Sequence, residues 1–149
     1  MFKRCLQKVN NFYGRLLDNL HYGNLGSQTK IKRPMRIIGR SRIFLGSHVS
    51  ILNNARIETI RDWQGEICNG KLIIGDRTSI GQCCHIIASD EVRIGYDCVF
   101  SAFVYISDCS HQYDPSMDIM ASPLIRKRIS IGNHVFIGIG SCIMSGVTI

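Results

Sequence analysis

Residues 129–149 read ISIGNHVFIGIGSCIMSGVTI, and isoleucine recurs within them at every sixth position. The recurring residues are Ile131, Ile137, Ile143 and Ile149, and glycine follows the first two. On an α-helix, at about 100° per residue, positions six apart point roughly 240° away from each other. In an extended chain, positions six apart keep to one face because six is even. The period therefore predicts short extended segments separated by bends, as in a hexapeptide β-helix.

The same period occurs upstream. Aliphatic or other apolar residues at six-residue spacing form three further runs: Ile31, Ile37, Ile43, Val49 and Ala55; Ile74, Ile80 and Ile86; and Ile94, Phe100 and Ile106. Strands of a β-sandwich alternate over variable lengths and seldom hold one fixed period for this long. The sequence therefore predicts an all-β solenoid of about five coils, with three hexads in each coil.

The 129–149 stretch resembles the hexapeptide-repeat acyltransferases, which fold as a left-handed parallel β-helix. It is most similar to the small sugar O-acetyltransferases of capsule, exopolysaccharide and lipopolysaccharide synthesis. The resemblance covers residues 31–149. It alone implies the left hand of the coil, because the general rule for parallel crossovers predicts the opposite hand.

Composition narrows the class of protein. The chain has 149 residues, a net charge of +7 and seven cysteines without Cys-x-x-Cys spacing. It has no run of about 20 apolar residues and no apolar stretch with a cleavage site at its start. One domain in a reducing cytoplasm is the interpretation we favour. The basic charge lacks a nucleic-acid-binding motif, so nucleic acid is the weakest candidate partner.

The first 30 residues are predicted to form a separate segment, with an amphipathic helix over residues 1–22 followed by a linker rich in glycine and polar residues. Apolar residues recur at three- and four-residue intervals from Phe2 to Leu20, while Lys3, Lys8 and Arg15 occupy other faces. The helix could cap the open end of the solenoid. It could also lie on the inner face of a membrane, and the two roles are compatible.

The period is interrupted at three places in residues 31–149. It slips between Ala55 and Ile74, where Trp63-Gln64-Gly65 predicts a bulge or small loop, and again between Ile86 and Ile94. The largest interruption is an extended loop over residues 107–128. Long loops in compact repeats are usually functional, so this loop is the predicted location of the chemistry.

The start of this loop carries the most specific part of the resemblance. The family has an Ile-Ser-Asp-x-x-His segment whose last histidine is the catalytic base, and Ile106-Ser107-Asp108-Cys109-Ser110-His111 matches it. A neutral imidazole can take the proton of a hydroxyl as that hydroxyl attacks a thioester. His111 is the predicted base, and Asp108 is the predicted orienter of its ring.

Other candidate residues follow from position and resemblance. His85 and Tyr113 are predicted substrate contacts, whereas His48 and His134 are predicted corner residues. A three-histidine zinc site is the alternative, but the His-x-x-x-x-His pair of the β-helical carbonic anhydrases does not follow His111, so no metal is predicted.

The resemblance also implies acetyl-CoA as co-substrate, bound in a groove between neighbouring protomers of a homotrimer. The residues that match the groove of the family are Ser101, Ala102, Gly138, Ile139 and Gly140. A backbone N–H near these glycines could stabilise the oxyanion of the thioester.

The sequence departs from the family pattern at Ile149, because relatives continue with one or two further coils. The predicted function is transfer of an acetyl group from acetyl-CoA to a sugar hydroxyl of a surface polysaccharide or its precursor, in the cytoplasm or at the inner membrane face. The alternatives are N-acetylation of an amino sugar and a catalytically silent truncated β-helix that serves as a scaffold.

Overall fold

The structure is a computed structural model that describes residues 21–116 and 118–149. The amphipathic helix predicted for residues 1–22 lies outside the described residues, apart from its last two, which have no regular structure. In the described residues, no helix is long and apolar enough to cross a membrane.

Short β-strands make up most of the described chain. In order they are β1 (Asn24–Leu25), β2 (Lys30–Ile31), β3 (Arg36–Ile38), β4 (Ile43–Leu45), β5 (Ser50–Ile51), β6 (Arg56–Thr59), β7 (Asp62–Trp63), β8 (Glu66–Ile67), β9 (Lys71–Ile74), β10 (Ser79–Ile80), β11 (His85–Ala88), β12 (Glu91–Ile94), β13 (Val99–Phe100), β14 (Tyr105–Ser107), β15 (Cys109–His111), β16 (Leu124–Arg126), β17 (Ile129–Ile131), β18 (Phe136–Ile137) and β19 (Cys142–Ile143). Two short 3₁₀ helices span Arg40–Arg42 and Ile119–Ala121.

Fifteen of these strands form three parallel sheets of five. Sheet A has the order β1-β4-β9-β12-β17, sheet B has β2-β5-β10-β13-β18 in space, and sheet C has β3-β6-β11-β14-β19 in space. Each coil contributes one strand to each sheet in turn, so the chain winds through five coils. The predicted parallel β-helix is confirmed.

The core consists of apolar side chains stacked in register along the interior. Each sheet supplies one column: Leu25, Leu45, Ile74, Ile94 and Ile131 from sheet A; Ile31, Ile51, Ile80, Phe100 and Ile137 from sheet B; Ile37, Ile57, Ile86, Ile106 and Ile143 from sheet C. Most of these side chains are almost fully buried. Each coil therefore shields the inward-facing aliphatic side chains of its neighbour from water, which is how a solenoid is stabilised without a large globular core.

The predicted length of a coil, 18 residues, is wrong. Leu25 pairs with Leu45 and Ile31 with Ile51, so the first coil takes 20 residues. The 3₁₀ helix at Arg40–Arg42 lengthens one corner, and Val49 and Ala55 therefore lie two positions before the residues that stack in register. The two extra residues in the coil do not change which side chains face the core, because a step of two in an extended chain keeps a side chain on the same side. Val49 and Ala55 are accordingly buried.

All the insertions lie on the edge where sheet C ends and the next strand of sheet A begins, here called the C–A edge. The predicted slip at Trp63-Gln64-Gly65 is confirmed as an antiparallel hairpin of β7 and β8, with Gln64 and Gly65 both at positive φ in a two-residue turn. The slip between Ile86 and Ile94 is confirmed at the same edge. The predicted loop at 107–128 is also there, and it contains the antiparallel hairpin of β15 and β16.

Candidate functional site

The inserted segment of residues 108–128, here called the arm, carries His111. In its hairpin Cys109 pairs with Arg126 and His111 with Leu124. Gln112 N–H donates to the carbonyl of Pro123 at 3.0 Å, which extends the pairing beyond His111. His111 is therefore held at the end of a paired strand rather than in irregular chain.

The β7–β8 hairpin supports the arm from the neighbouring coil. The Trp63 indole Nε1–H donates to the carbonyl of Ser122 at 3.1 Å, and the Gln64 amide donates to the carbonyl of Met120 at 2.8 Å. Arg126 donates to the carbonyl of Ile67 at 3.2 Å. The two hairpins thus contact each other, although they are far apart in sequence.

A cleft of about 410 Å³, here called the His111 cleft, lies between the outer face of sheet C and the two hairpins. Sheet C contributes charged and polar side chains to it, and the hairpins contribute the ring of Trp63 and the His111 imidazole; the polar sheet residues are Arg56, Glu58, Tyr105 and Ser107. The volume is in the range typical of small-molecule sites.

The His111 ring is oriented by two contacts. Its Nδ1 lies 3.4 Å from the hydroxyl oxygen of Ser122, and its ring meets that of Trp63 edge to face at a centroid distance of 5.1 Å. Ser122, which is buried, donates its own hydroxyl proton to the carbonyl of Ile119 at 2.7 Å. With its proton on the shorter of these two bonds, the hydroxyl accepts from His111, which favours the neutral tautomer that carries its proton on Nδ1. Nε2 is then the unprotonated nitrogen, as a general base requires.

Asp108 does not orient His111 in the described structure. Its carboxylate is fully buried and accepts hydrogen bonds from the backbone N–H groups of Ser89 at 2.7 Å and Asp90 at 2.8 Å. Burial raises the pKa of Asp108, while the two backbone hydrogen bonds act in the opposite direction. Lys127 N–H also donates to the Asp108 carbonyl, so Asp108 ties the base of the arm to the preceding coil.

The two predicted substrate contacts lie in different surroundings. His85, on the outer face of sheet C, is in register with Arg56 and Tyr105, which both line the His111 cleft. Tyr113 lies beyond the paired part of the arm and is 80% exposed. The structure therefore places His85 beside the cleft and Tyr113 on the outside of the arm.

The five predicted cofactor residues come together on the edge between sheets B and C, here called the B–C edge. Ser101 N–H donates to the carbonyl of Ile137 at 2.9 Å, and Gly140 N–H donates to the carbonyl of Ala102 at 3.2 Å. Gly140 has φ +70°, and a Cβ there would have nothing within 4 Å. Glycine adopts this left-handed conformation more readily than other residues do, and the space outside the turn is open.

The sequence interpretation missed Ser122 and Trp63. The sequence predicts a bulge at Trp63, but no short-range pattern shows that its indole reaches the arm. Ser122 lies 11 residues after His111, and their contact depends on the arm turning back on itself. In residues 21–116 and 118–149, no group of three or more His, Cys, Asp or Glu side chains is placed to hold a metal ion.

Comparison with known proteins finds no family model, no curated protein and no solved structure that matches this chain.

Proposed function

We propose that this protein is an acyltransferase that moves an acetyl group from acetyl-CoA to a sugar hydroxyl, with His111 as general base. The observation that carries the proposal is the contact of the Ser122 hydroxyl with Nδ1 of His111, whose ring lines the cleft. This contact supports the neutral tautomer with its proton on Nδ1, in which Nε2 can accept a proton. The resemblance of residues 106–111 and 129–149 to sugar O-acetyltransferases supports the same reaction.

The proposed reaction needs no covalent enzyme intermediate. The acceptor oxygen attacks the thioester carbonyl carbon while Nε2 of His111 takes the hydroxyl proton. The tetrahedral intermediate then collapses, the carbon–sulfur bond breaks, and the imidazolium returns the proton to the departing thiolate. Ser122 is a positioning residue in this scheme, since it fixes the ring and its tautomer without touching the reacting atoms.

The surroundings of His111 suit a hydroxylated acceptor. Arg56 and Glu58 form a bidentate ion pair on sheet C, with both N···O distances at 2.9 Å, and Ser107 and Ser110 add hydroxyl groups to the lining. Such groups can donate to and accept from sugar hydroxyls. We place the donor at the B–C edge, beside Ser101 and Ala102, where Gly138 and Gly140 leave open space next to the backbone.

We also propose a homotrimer, with the donor groove between protomers. Exposed apolar side chains surround the B–C edge: Val99 and Phe136 are in register on the outer face of sheet B, and Phe103 and Ile139 lie at the edge itself. Contact with another copy would remove these side chains from water.

The proposal is tested by thiol release from acetyl-CoA with a panel of sugar acceptors. His111→Ala should lower kcat/KM about 10²- to 10⁴-fold, the usual contribution of a general base. His134→Ala is the matched control, because His134 stacks edge to face on Tyr96 at a different corner and should leave the rate unchanged. A wild-type rate no higher than that of His111→Ala would contradict the proposal and favour the scaffold alternative.

The role of Ser122 has its own readout. In Ser122→Ala we expect a smaller loss, about fivefold to tenfold, because one hydrogen bond of about 1 kcal/mol is removed. ¹⁵N NMR of the His111 ring should show the Nδ1–H tautomer in wild type and a mixture of tautomers in Ser122→Ala. An unchanged tautomer in the variant would exclude the positioning role.

A further inference from the structure

A second cleft of about 400 Å³ lies on the C–A edge beside the His111 cleft. Three arginines line it, and two carboxylates accompany them; the five are Arg36, Arg42, Arg61, Glu58 and Asp62. It is called the arginine cleft below. Of its lining residues, only Glu58, Ile60 and Trp63 also belong to the site around His111.

The two clefts are parts of one surface. Glu58, Ile60 and Trp63 line both, so these three side chains form the wall between them. Each cleft has a volume typical of a small-molecule site. A molecule that extends past this wall could therefore occupy both clefts at once.

The guanidinium groups in the arginine cleft are positioned by the fold. Arg42 donates from Nε to the carbonyl of Gly70 at 3.2 Å and from Nη2 to the carbonyl of Thr59 at 2.8 Å. Both partners are backbone carbonyls of neighbouring segments. The side chain of Arg42 is therefore held in one orientation.

Glu58 does not balance the charge of Arg36 by itself. Its Oε1 lies 3.2 Å from Nε of Arg36, but the same carboxylate forms the bidentate pair with Arg56 in the His111 cleft. One buried carboxylate is thus shared between two arginines. Four arginines, counting Arg56, and two carboxylates, Glu58 and Asp62, line the two clefts, so the local balance of charge is positive. A positive cleft favours an anionic ligand, and the planar fork of arginine matches the oxygens of a carboxylate or phosphate.

We infer that the arginine cleft binds an oxyanion group of the acceptor, while a hydroxyl of that same molecule reacts at His111. The acceptor is then an acidic saccharide of more than one sugar unit, carrying a uronate carboxylate or a phosphate. The assignment of this ligand as the acceptor rests on the proposed function, whereas anion binding in the cleft stands independently of it.

The test is an NMR titration of the full-length ¹⁵N-labelled protein without acetyl-CoA. The probes are methyl β-glucuronide, glucose 1-phosphate and, as the neutral control, methyl β-glucoside. At least one anionic probe should shift the side-chain Nε–H signals of Arg36, Arg42 and Arg61, and the neutral glucoside should not. The anionic probe that binds identifies carboxylate or phosphate as the preferred group.

Arg93 is the internal control for surface binding. It pairs with Glu91 on the outer face of sheet A, much as Arg36 pairs with Glu58, and the two arginine side chains are similarly exposed. Arg36→Gln should weaken binding of the anionic probe about tenfold, as expected for a hydrogen bond to a charged group. Arg93→Gln should leave it unchanged.

Three results would overturn the inference: no shift with either anionic probe, shifts of equal size at Arg93, or equal effects of the two substitutions. His111→Ala separates this inference from the proposed function, because it should bind the anionic probe as wild type does. Anion binding without acetyl transfer would thus refute the proposed reaction and leave the binding site standing.

Discussion

Asp108 is a buried carboxylate that joins two coils. Its oxygens accept from the backbone N–H groups of Ser89 and Asp90, and its position in sequence is at the first residue of the arm. Removal of such an acceptor leaves buried N–H groups without a partner, which costs about 1–3 kcal/mol for each group left unsatisfied. The carboxylate therefore stabilises the attachment of the arm, and Ser122 is the residue that contacts His111, the proposed base.

Asp108→Ala should lower the free energy of unfolding by about 2 kcal/mol, and the loss should depend on pH. Because burial raises the pKa of Asp108, the folded protein holds this proton more tightly than the unfolded chain does. The stabilising contribution is therefore fully present below the ordinary carboxyl pKa and is lost as pH rises through the raised pKa. Chemical denaturation at about pH 3.5 and about pH 8 should show the larger difference between wild type and variant at the lower pH.

Asp114→Ala is the control for this effect. Asp114 is solvated near the end of the arm, and its pKa is lowered by hydrogen bonds from Ser116, so its contribution has the opposite dependence on pH. If the difference in free energy of unfolding between wild type and Asp108→Ala grew with rising pH, the raised pKa of Asp108 would be contradicted.

At the scale of elements, the two hairpins are additions to a repeat that continues beneath them. Sheet C leads into sheet A at every coil, and the strands on either side of each insertion keep parallel register; Ile57 stacks on Ile86, and Ile106 on Ile143. The residues inserted at this edge can therefore vary in number without disturbing the core. Loops carried by such a rigid scaffold commonly hold functional residues.

Replacement of residues 112–123 by Asn-Gly should separate folding from activity. His111 pairs with Leu124, so a two-residue turn can close the shortened hairpin directly. The variant should keep the circular dichroism and the denaturation midpoint of the solenoid close to wild type, because the loop lies outside the core. It should lose acetyl transfer at least about fivefold to tenfold, the loss expected for Ser122→Ala, since Ser122 is removed with the loop.

The matched control replaces Gln64-Gly65 by Asn-Gly, which keeps the length of the other hairpin and its two-residue turn. This control loses only the hydrogen bond from Gln64 to Met120 and should retain most activity. Unfolding of the shortened-arm variant would show that the arm is a necessary part of the fold, contrary to this view of the hairpin.

At the scale of the whole molecule, the three columns make the stability of the solenoid a sum over neighbouring coils. The exposed apolar side chains of the last two coils lie outside these columns, on the surface. Phe136 is 69% exposed and Ile139 is 72% exposed. Large apolar patches on a soluble protein commonly mark contacts with another chain, which supports the proposed trimer.

Phe136→Glu should convert a trimer to a monomer. A charge placed in an apolar interface must be desolvated without a partner, and that cost opposes assembly. Sedimentation equilibrium should give three times the 16.8 kDa chain mass for wild type and the single chain mass for the variant. Ile67→Glu, at an equally exposed position on the β7–β8 hairpin, should remain a trimer; a monomeric wild type would refute the proposed assembly.

The six-residue period determined that residues 31–149 form a parallel β-helix. In an extended chain, two side chains lie on the same side whenever an even number of positions separates them. The same local rule located the interruptions at 63–65 and 107–128, where the period is lost. It could not determine the 20-residue coil, since a step of six and a step of eight bury the same face.

Only the tertiary structure decided which side chains surround His111. Asp108 is close to it in sequence, but the backbone of a neighbouring coil captures that carboxylate, while Ser122 and Trp63 reach the ring through the folding of two hairpins. The arginine cleft likewise joins residues from successive coils. These contacts depend on how the coils and hairpins pack against each other. A repeat pattern constrains the spacing of residues within one coil, but it does not constrain the path of a segment inserted between two coils.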